Sequence, residues 1–432
     1  MAGWAGLLTQ IAAIGRDGGT GGYRRSAFTR EDAALAEWFA ACCAARGLEV
    51  TLDRCGNQWA WWGDPDAGLD SGLGAGVVTG SHLDSVPDGG AFDGPLGVAS
   101  ALAAVDALQA NGFRPARPIG VVRFVDEEGA RFGLACSGSR LLTGQFAPSR
   151  VLGLLDGDGV SYAEAMRSAG LRPEQAGADP ETLRRVGTFV ELHVEQGRGL
   201  AAPDDEPADD APADDAPAGA AVGVASSIRA HGRWRVDLAG TANHAGSTAL
   251  ADRDDPMLAL ARLIPAVRAA ALRHGGEQGT VGTVGKVTVR PNAVNAIPSL
   301  VQAWLDIRAD GADQVRAVLR ELETDGFAPI EESWSGAVPM DPQLRDRLAA
   351  VTGAALGLVD GSGNPRSAPV LPTGAGHDAG ILAAAGIPSG MLFVRNPTGV
   401  SHSPAEHAAP ADCDAGVLAL AAVLADLAGE RE

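Results

Sequence analysis

The chain has 432 residues, of which 46% are hydrophobic and 20% charged, so it is long enough to bury the cores of two or three domains. Its formal net charge of −20 argues against nucleic acids and anionic membranes as partners. The five cysteines lack CxxC spacing, so neither a disulfide framework nor a thiolate zinc site is indicated. There is no basic segment of the signal-peptide kind at the start and no apolar run near the roughly 20 residues that span a bilayer, so we expect a cytoplasmic protein.

Hydrophobic periodicity predicts alternating helices and strands in the first half of the chain. After a short amphipathic helix near the N-terminus, apolar residues recur at helical spacing over 31–47 and again over 96–112. Short apolar runs predict strands, which lie at 47–52, 74–80, 118–129 and 186–197. Strands that alternate with helices in this way indicate an α/β sheet covered by helices.

A run of Ala, Asp and Pro at 201–220 follows this half of the chain. It lacks glycine at loop-turn positions and has no aromatic anchor, which argues against a calcium-binding tract. Its composition instead predicts a disordered, solvated insertion.

The pattern after the insertion predicts a small α+β unit and then a return to the α/β pattern. The unit has the order strand, helix, two strands, helix and strand, at 233–240, 254–275, 280–291, 299–310, 311–326 and 328–334. This βαββαβ order is typical of a ferredoxin-like unit. A strand at 389–396 and a helix over 414–429 follow. We therefore predict one α/β domain, formed by 1–225 and 337–432, that is interrupted by an inserted domain at 226–336.

Polar side chains follow four of the predicted strands of the α/β domain. They are His82, Asp84, Asp88 and Asp93, then Asp126, Glu127 and Glu128, then His193 and Glu195, and finally His402 and His407. Because ligands bind outside the carboxyl ends of strands in open α/β sheets, we expect these groups to converge. Imidazole and carboxylate without thiolate suit zinc, manganese or cobalt. A carboxylate shared by two cations holds them roughly 3.5–4 Å apart, as in two-metal hydrolases.

Each of these signals also has a non-functional explanation. His82 and Asp84 fit a loop with an Asx turn. Glu127 and Glu128 fit a solvated strand end, and His193 fits a hydrogen-bonded core histidine. The hypothesis of a metal site therefore depends on all four segments ending strands of one domain.

Seven segments, in this order, match motifs of a known family: GSHLDSVPDGGAFDGPLGV, FVDEEGARFG, ELHVEQG, TANHAGST, RPNAVNAIPSLVQAWLDIR, GAGHDA and SHSPAE. On these motifs the chain resembles the amidase branch of the M20 metallopeptidase-like family, which includes allantoate amidohydrolases, N-carbamoyl-L-amino acid hydrolases and β-ureidopropionases. The resemblance covers nearly the whole chain apart from 201–220. It implies a phosphorylase/hydrolase-like α/β domain of M20 type that holds two metal ions and is interrupted by a ferredoxin-like lid and dimerisation domain.

The resemblance also implies the ligands of two divalent ions, Zn²⁺ or Mn²⁺, with Co²⁺ or Ni²⁺ as alternatives. The implied ligands are Asp93 as the bridge, His82 and His193 for one ion, and Glu128 and His402 for the other. Asp84 would orient the His82 imidazole. Glu127 would be the general base, which requires a carboxylate near the ions but not bound to them.

Further residues are implied to act on the substrate. His244 would stabilise the developing oxyanion, reaching the partner subunit's site in a homodimer. Asn295 and Arg308 of the lid would bind the substrate, with the Arg308 guanidinium on its carboxylate, and Gln196 would contact the ureido group. Without the resemblance, Arg308 is better explained as a solvated strand charge and Asn295 as a turn residue.

The predicted function is hydrolysis of the C–N bond of a ureido (N-carbamoyl) carboxylate, with release of ammonia and carbon dioxide. Arg395 adds a cation near the site and favours allantoate as the substrate. The alternatives are an N-carbamoyl-L-amino acid hydrolase or β-ureidopropionase, a dipeptidase or deacylase of the wider family, and a non-catalytic dimeric binding module. The short spacing from His82 to Asp93 favours the amidase branch. We expect no catalytic role for His231, His274, His377, His407 or Cys136.

Overall fold

The structure is a computed structural model that describes residues 3–70, 75–201, 220–275 and 279–431. The predicted disordered insertion lies almost entirely outside the described residues. The chain forms two compact units. The first unit consists of Met1–Ser227 and Pro339–Glu432, and the second of Ile228–Val338. Their expected roles, metal-binding domain and lid, stay predictions.

The secondary structure elements are numbered along the chain. The strands are β1 (Glu49–Leu52), β2 (Gln58–Trp62), β3 (Gly76–His82), β4 (Ile119–Phe124), β5 (Val186–Val194), β6 (Val222–Ile228), β7 (Ala230–Ala239), β8 (Asn243–His244), β9 (Val281–Arg290), β10 (Ala296–Ile297), β11 (Leu300–Ala309), β12 (Pro329–Ser335), β13 (Val338–Pro339), β14 (Val370–Thr373) and β15 (Ser389–Val394). The helices are α1 (Trp4–Ile11), α2 (Arg30–Ala44), α3 (Ala67–Asp70), α4 (Pro95–Ala110), α5 (Ser137–Leu142), α6 (Pro148–Val151), α7 (Tyr162–Ser168), α8 (Pro180–Leu183), α9 (Pro256–Arg273), α10 (Ala312–Thr324), α11 (Pro342–Ala355), α12 (Asp378–Ala384) and α13 (Pro410–Ala428).

The first unit is built on a nine-stranded mixed sheet. Its strand order is β1-β2-β4-β3-β5-β15-β6-β13, and β14 pairs with β6. The four strands β4, β3, β5 and β15 are parallel to one another. These are the four strands whose ends were predicted to carry the polar groups, so their carboxyl ends lie along one edge of the sheet. The predicted α/β fold class is confirmed.

Helix α4 packs closely against the parallel strands. All of its residues from Pro95 to Val105 are buried. At Gly97 the helix approaches the sheet so closely that a Cβ atom would lie 2.3 Å from the carbonyl oxygen of Leu192 in β5. Only glycine permits this approach, which fixes the start of α4 beside the strand that carries His193.

Some observed boundaries differ from the predicted ones. The strand predicted over 118–129 ends at Phe124, so the three acidic residues lie in the turn that follows, where Asp126 has a φ of 56°. The last helix begins at Pro410 and not at 414, because proline is favoured in the first turn of a helix.

The second unit has a four-stranded antiparallel sheet with the order β12-β7-β11-β9. Side chains of α9 and α10 form one buried cluster with this sheet, and they include Leu260, Leu263, Val267, Val315, Val318 and Leu322. Strands β8 and β10 form a separate pair. The elements follow the βαββαβ order. Within the described ranges, no helix is both long and apolar enough to cross a membrane.

Candidate metal centre

Two histidines and one carboxylate converge at the carboxyl ends of β3 and β5. Nε2 of His82, the last residue of β3, lies 3.6 Å from Oδ1 of Asp93. Nε2 of His193 in β5 lies 3.2 Å from the same oxygen. All three side chains are buried, and their nitrogen and oxygen atoms lie close enough together to hold one metal ion.

The hydrogen bonds of both imidazoles leave Nε2 as the coordinating nitrogen. Nδ1 of His82 lies 3.1 Å from the carbonyl oxygen of Asp84, and Nδ1 of His193 lies 2.8 Å from that of Val194. A carbonyl oxygen only accepts, so each Nδ1 carries a proton and each Nε2 presents a lone pair in the neutral ring. Both Nε2 atoms are buried without a hydrogen-bond partner among the described residues. These orphaned nitrogens fit a bound cation.

A second group of ligands faces the other oxygen of Asp93. Nε2 of His402 lies 3.3 Å from Oδ2 of Asp93 and 3.6 Å from Oε2 of Glu128. His402 is 46% exposed, whereas Asp93 and Glu128 are largely shielded from solvent. Burial opposes the ionisation of Asp93, but His193, His402 and His82 hold the pKa of its carboxyl well below the usual range. Asp93 therefore presents one anionic oxygen to each of two ligand groups.

Asp84 organises the turn that carries both glutamates. Its Oδ1 accepts a hydrogen bond from the backbone N–H of Glu127 at 3.2 Å, and its Oδ2 accepts one from that of Glu128 at 3.1 Å. Its carboxylate oxygen lies 3.5 Å from Nδ1 of His82, farther than its own carbonyl oxygen. Asp84 thus contacts His82 mainly through its main chain, and its carboxylate orients the acidic turn.

The two glutamates occupy different positions at the site. Oε2 of Glu127 lies 3.8 Å from Nε2 of His82, and its Oε1 accepts a hydrogen bond from the Cys136 thiol at 3.5 Å. Burial raises the pKa of Glu127 well above its usual range, although His82 opposes the shift. Burial, together with the charge of Asp93, raises the pKa of Glu128 to about 7. Glu128 faces His402, while Glu127 lies beside the ligands of the other group.

Gln196 lies directly beside the candidate bridge. Its Nε2 donates a hydrogen bond to Oδ2 of Asp93 at 2.8 Å and approaches the Ser401 hydroxyl at 3.2 Å. Its amide oxygen is buried and accepts no hydrogen bond within the described part of the chain. The side-chain amide oxygen of Gln196 is therefore available to accept a hydrogen bond from an N–H group.

Three of the predicted substrate-binding residues belong to the second unit. Nδ1 of His244 accepts hydrogen bonds from the backbone N–H groups of Gly246 and Ser247, at 3.0 and 3.2 Å, so the proton of the neutral ring is on Nε2. Asn295 is exposed beside it, and its carbonyl oxygen accepts from the N–H of Ala245 at 2.9 Å. His244 thus presents an N–H donor of the kind that stabilises an oxyanion.

Arg308, the third of these residues, already has a carboxylate partner. Its Nε and a terminal nitrogen donate to the two oxygens of Asp306, at 2.7 and 3.1 Å. Asp306 and Arg308 are two residues apart on β11, so their side chains lie on the same face of the strand. Any further carboxylate that approaches Arg308 has to compete with this pair or share the guanidinium with it.

Comparison with known proteins identifies the family. The sequence profile described as Peptidase family M20/M25/M40 matches residues 78–426. The chain belongs to this family. It is 38% identical to an N-carbamoyl-L-amino acid amidohydrolase of Geobacillus stearothermophilus, over 95% of this chain and 94% of that protein. It is 31% identical to the allantoate amidohydrolase of Escherichia coli (strain K12), over 98% and 97%. The crystal structure of AtUAH in complex with glyoxylate superposes with a TM-score of 0.82 at 28% identity, over 98% and 97%. The predicted resemblance to the amidase branch of M20 is confirmed.

Several strand-end carboxylates of this M20 chain lie outside the two ligand groups. Asp88 accepts a hydrogen bond from the Thr20 hydroxyl, and Asp126 accepts one from the Ser137 hydroxyl. Glu195 accepts from the backbone N–H groups at positions 199 and 200. These three carboxylates shape the loops around the centre.

Arg395, which the sequence interpretation treats as a second cation near the site, already has a carboxylate partner. Both oxygens of the buried Asp412 accept hydrogen bonds from its guanidinium, at 2.9 and 3.1 Å. This ion pair ties the end of β15 to the first turn of α13, which explains the arginine structurally. Arg395 therefore gives no support to allantoate as the substrate.

Two acidic residues near the centre escaped the sequence interpretation. Glu406, the last residue of the SHSPAE motif, is buried against the Asp93 loop. Glu191 is buried two residues before His193 and accepts hydrogen bonds from the Ser81 hydroxyl and the N–H of Ala379. Alternation along β5 places Glu191 and His193 on the same face of the sheet, which was a usable signal.

Proposed function

We propose that this M20 protein is a two-metal amidohydrolase that cleaves the C–N bond of a ureido (N-carbamoyl) carboxylate. The observation that carries this proposal is the position of Asp93, whose two oxygens face two different groups of ligands. A shared carboxylate of this kind is what a two-metal hydrolytic centre requires. Relatives named as amidohydrolases of N-carbamoyl-L-amino acids and of allantoate support the reaction class.

Five residues are proposed to hold the two ions. The first ion would be held by His82, His193 and Oδ1 of Asp93. The second ion would be held by Glu128, His402 and Oδ2 of Asp93. Imidazole and carboxylate suit Zn²⁺ or Mn²⁺, and Co²⁺ and Ni²⁺ accept the same donors. When bound, the ions supply a water of lowered pKa and polarise the carbonyl group of the substrate.

Glu127 is the proposed general base. Its Oε2 faces the ligands of the first ion, whereas Oε1 is held by the Cys136 thiol. A carboxylate that lies beside the ions but is not assigned as a ligand can accept the proton of the attacking water. The same group then donates this proton to the leaving nitrogen, so that ammonia departs and not an amide anion.

Polar groups from both units are proposed to bind the substrate. The amide oxygen of Gln196 would accept an N–H of the ureido group, as its orientation beside Asp93 suggests. His244 would donate from Nε2 to the developing oxyanion. Asn295 and Arg308 would bind the substrate carboxylate, which a guanidinium recognises through two parallel hydrogen bonds.

Within this class we propose an N-carbamoyl-L-amino acid as the substrate and allantoate as the second candidate. The higher identity to the N-carbamoyl-L-amino acid amidohydrolase, 38% against 31%, supports the first. Allantoate stays a candidate because relatives at 31% and 33% identity carry that activity in their names. Arg395, once the reason to prefer allantoate, is bound to Asp412.

Ammonia release from the manganese-loaded protein tests the proposal. We expect turnover of N-carbamoyl-L-amino acids, and a loss of about 10²–10⁴-fold in kcat for Glu127→Gln, which removes the general base. The variant should still bind two ions per chain, because Glu127 is not assigned as a ligand. If the protein turned over allantoate and no N-carbamoyl-L-amino acid, allantoate would replace the latter as the proposed substrate. Two bound ions with no turnover of any ureido acid would overturn the reaction class in favour of a peptidase.

The homodimer and the cytoplasmic location predicted from the sequence remain part of this proposal. A dimer is expected because His244 is proposed to act on the partner subunit's site. Light scattering of the purified protein measures the mass in solution, and a monomer with full activity would contradict this arrangement.

A further inference from the structure

The carboxylate of Glu406 joins two loops that are far apart in the sequence. Its Oε2 accepts hydrogen bonds from the backbone N–H groups of Phe92 and Asp93, both at 2.9 Å. Its Oε1 lies 3.2 Å from the Ser401 hydroxyl, which can donate to it. One loop carries the proposed bridging ligand, and the other carries His402.

The contacts of Ser401 close this connection into a ring. Its hydroxyl oxygen also lies 3.2 Å from Oδ2 of Asp93. The main chain of Asp93, the carboxylate of Glu406, the hydroxyl of Ser401 and the carboxylate of Asp93 therefore follow one another in a closed sequence of contacts. Glu406 is only 6% exposed, so water does not compete for most of its surface.

The glycine at position 90 makes room for this arrangement. A Cβ atom there would lie 2.1 Å from Oε2 of Glu406 and 2.5 Å from its carboxyl carbon. The Asp93 loop thus has no side chain at position 90, where one would collide with the Glu406 carboxylate. Gly90 and Glu406 are two independent features of the sequence that serve one contact.

We infer that Glu406 is a positioning residue that fixes the bridging carboxylate of Asp93 and sets its distance from His402. This inference rests on the proposed two-metal centre. A shared carboxylate works only if both oxygens keep their directions, and the backbone of Asp93 controls those directions. Without Glu406, the N–H groups of Phe92 and Asp93 lose their acceptor at a buried position, so the loop has to move to satisfy them.

Three variants separate the role of the hydrogen bonds from that of the charge. Glu406→Ala removes every acceptor and should weaken metal binding by about 10–100-fold, as is typical for groups that support metal ligands. Glu406→Gln keeps an oxygen for the two N–H groups and offers an N–H₂ group to the Ser401 hydroxyl, so it should retain the affinity of the natural chain. Gly90→Ala leaves Glu406 in place but displaces its carboxylate, and should resemble Glu406→Ala.

The measurement is calorimetric titration of the metal-free proteins with Mn²⁺, with the number of bound ions counted by elemental analysis. Asp179→Ala is the matched control, because Asp179 is also a buried carboxylate that accepts from a backbone N–H, at Thr182. We expect this control to lose thermal stability without losing affinity for Mn²⁺. Thermal unfolding of each metal-free protein shows whether it is folded before titration.

The outcomes distinguish this inference from the proposed function. The natural chain, Glu406→Ala and Gly90→Ala could all bind two ions with the same affinity. That result would overturn the positioning role of Glu406 and leave the two-metal centre intact. A glutamine variant as weak as the alanine variant would also overturn it, since the charge and not the geometry would then matter. If the natural chain binds fewer than two ions, the proposed centre itself is wrong. If Glu406→Ala does not fold, the affinities of Gly90→Ala and Glu406→Gln for Mn²⁺ still test whether Glu406 positions Asp93.

Discussion

At the scale of single residues, one aspartate positions several groups of the candidate centre. The carbonyl oxygen of Asp84 holds the His82 ring, and its carboxylate binds the N–H groups of Glu127 and Glu128. The proposed base and a proposed ligand are therefore oriented by the same carboxylate. This arrangement keeps two adjacent, like-charged side chains directed to different tasks.

We predict that Asp84→Asn impairs the acidic turn but spares the first ion. Asparagine offers one acceptor where the turn presents two N–H donors, so one donor faces an N–H₂ group or loses its partner. The main-chain contact to His82 stays. We expect kcat/KM to fall by about 10–100-fold and the number of bound ions to fall from two towards one per chain. Steady-state kinetics and elemental analysis of the same sample check this, and full activity with two ions bound would contradict it.

The pKa values of two proposed metal ligands, His82 and Glu128, predict how the affinity for metal depends on pH. Burial works to lower the pKa of His82, but Glu127, Asp84 and Asp93 outweigh it and raise that pKa well above the usual range. Burial raises the pKa of Glu128 to about 7. Glu128 is therefore partly protonated near pH 7 in the metal-free protein, and the raised pKa of His82 favours its protonated form, so protons compete with a cation at both groups. Affinity for Mn²⁺ should rise with pH through 7, with protons released on binding.

Calorimetry in two buffers of different ionisation enthalpy measures this proton release. The apparent binding enthalpy should differ between the buffers, because each takes up the released protons with its own heat. Equal enthalpies in both buffers would show that the ligands are already deprotonated.

At the scale of elements, the sequence was informative about strand ends and uninformative about what surrounds them. Apolar runs followed by His, Asp or Glu identified the four parallel strands, because burial on both faces leaves a clear hydrophobic signal. The partner of Arg395 lies seventeen residues away on α13, and the contact of Glu406 with Asp93 spans 313 residues. Such pairings depend on how loops fold back, which periodicity does not encode.

Gly94, at the start of α4, gives a prediction at this scale. It has a φ of 82°, and a Cβ atom there would lie 2.5 Å from Cε1 of His82. We predict that Gly94→Ala displaces the imidazole and weakens binding of the first ion. Gly112, at the other end of the helix, has a φ of 73° with open space around it, so Gly112→Ala is a matched control for backbone strain alone. Both should lose about 1–2 kcal/mol of stability from the left-handed backbone.

Metal titration separates the two glycine variants. Only Gly94→Ala should lose affinity for Mn²⁺, since only there does the new methyl group meet a proposed ligand. Equal affinity in both variants would mean that the His82 ring shifts without cost, and the orientation of its Nε2 would then matter less than we argue.

At the scale of the whole molecule, the proposed functions are divided between the two compact units. All five proposed metal ligands and Glu127 lie in the first unit, whereas His244, Asn295 and Arg308 lie in the second. The change in element order predicted an inserted domain, and the family resemblance implied the separate roles of the two parts. This division implies that metal binding and oxyanion stabilisation respond to different substitutions.

We predict that His244→Ala binds two Mn²⁺ ions per chain as the natural chain does, yet loses about 10²–10³-fold in kcat, the usual cost of one oxyanion donor. His82→Ala should instead lose the first ion. His274, a second histidine of the same unit, pairs with Glu321 and serves as the control, so His274→Ala should leave kcat unchanged. Elemental analysis and steady-state kinetics on the three variants check this pattern. If His244→Ala released an ion, the histidine would belong to the metal centre; if its kcat did not fall, the N–H of Nε2 would have no part in the reaction.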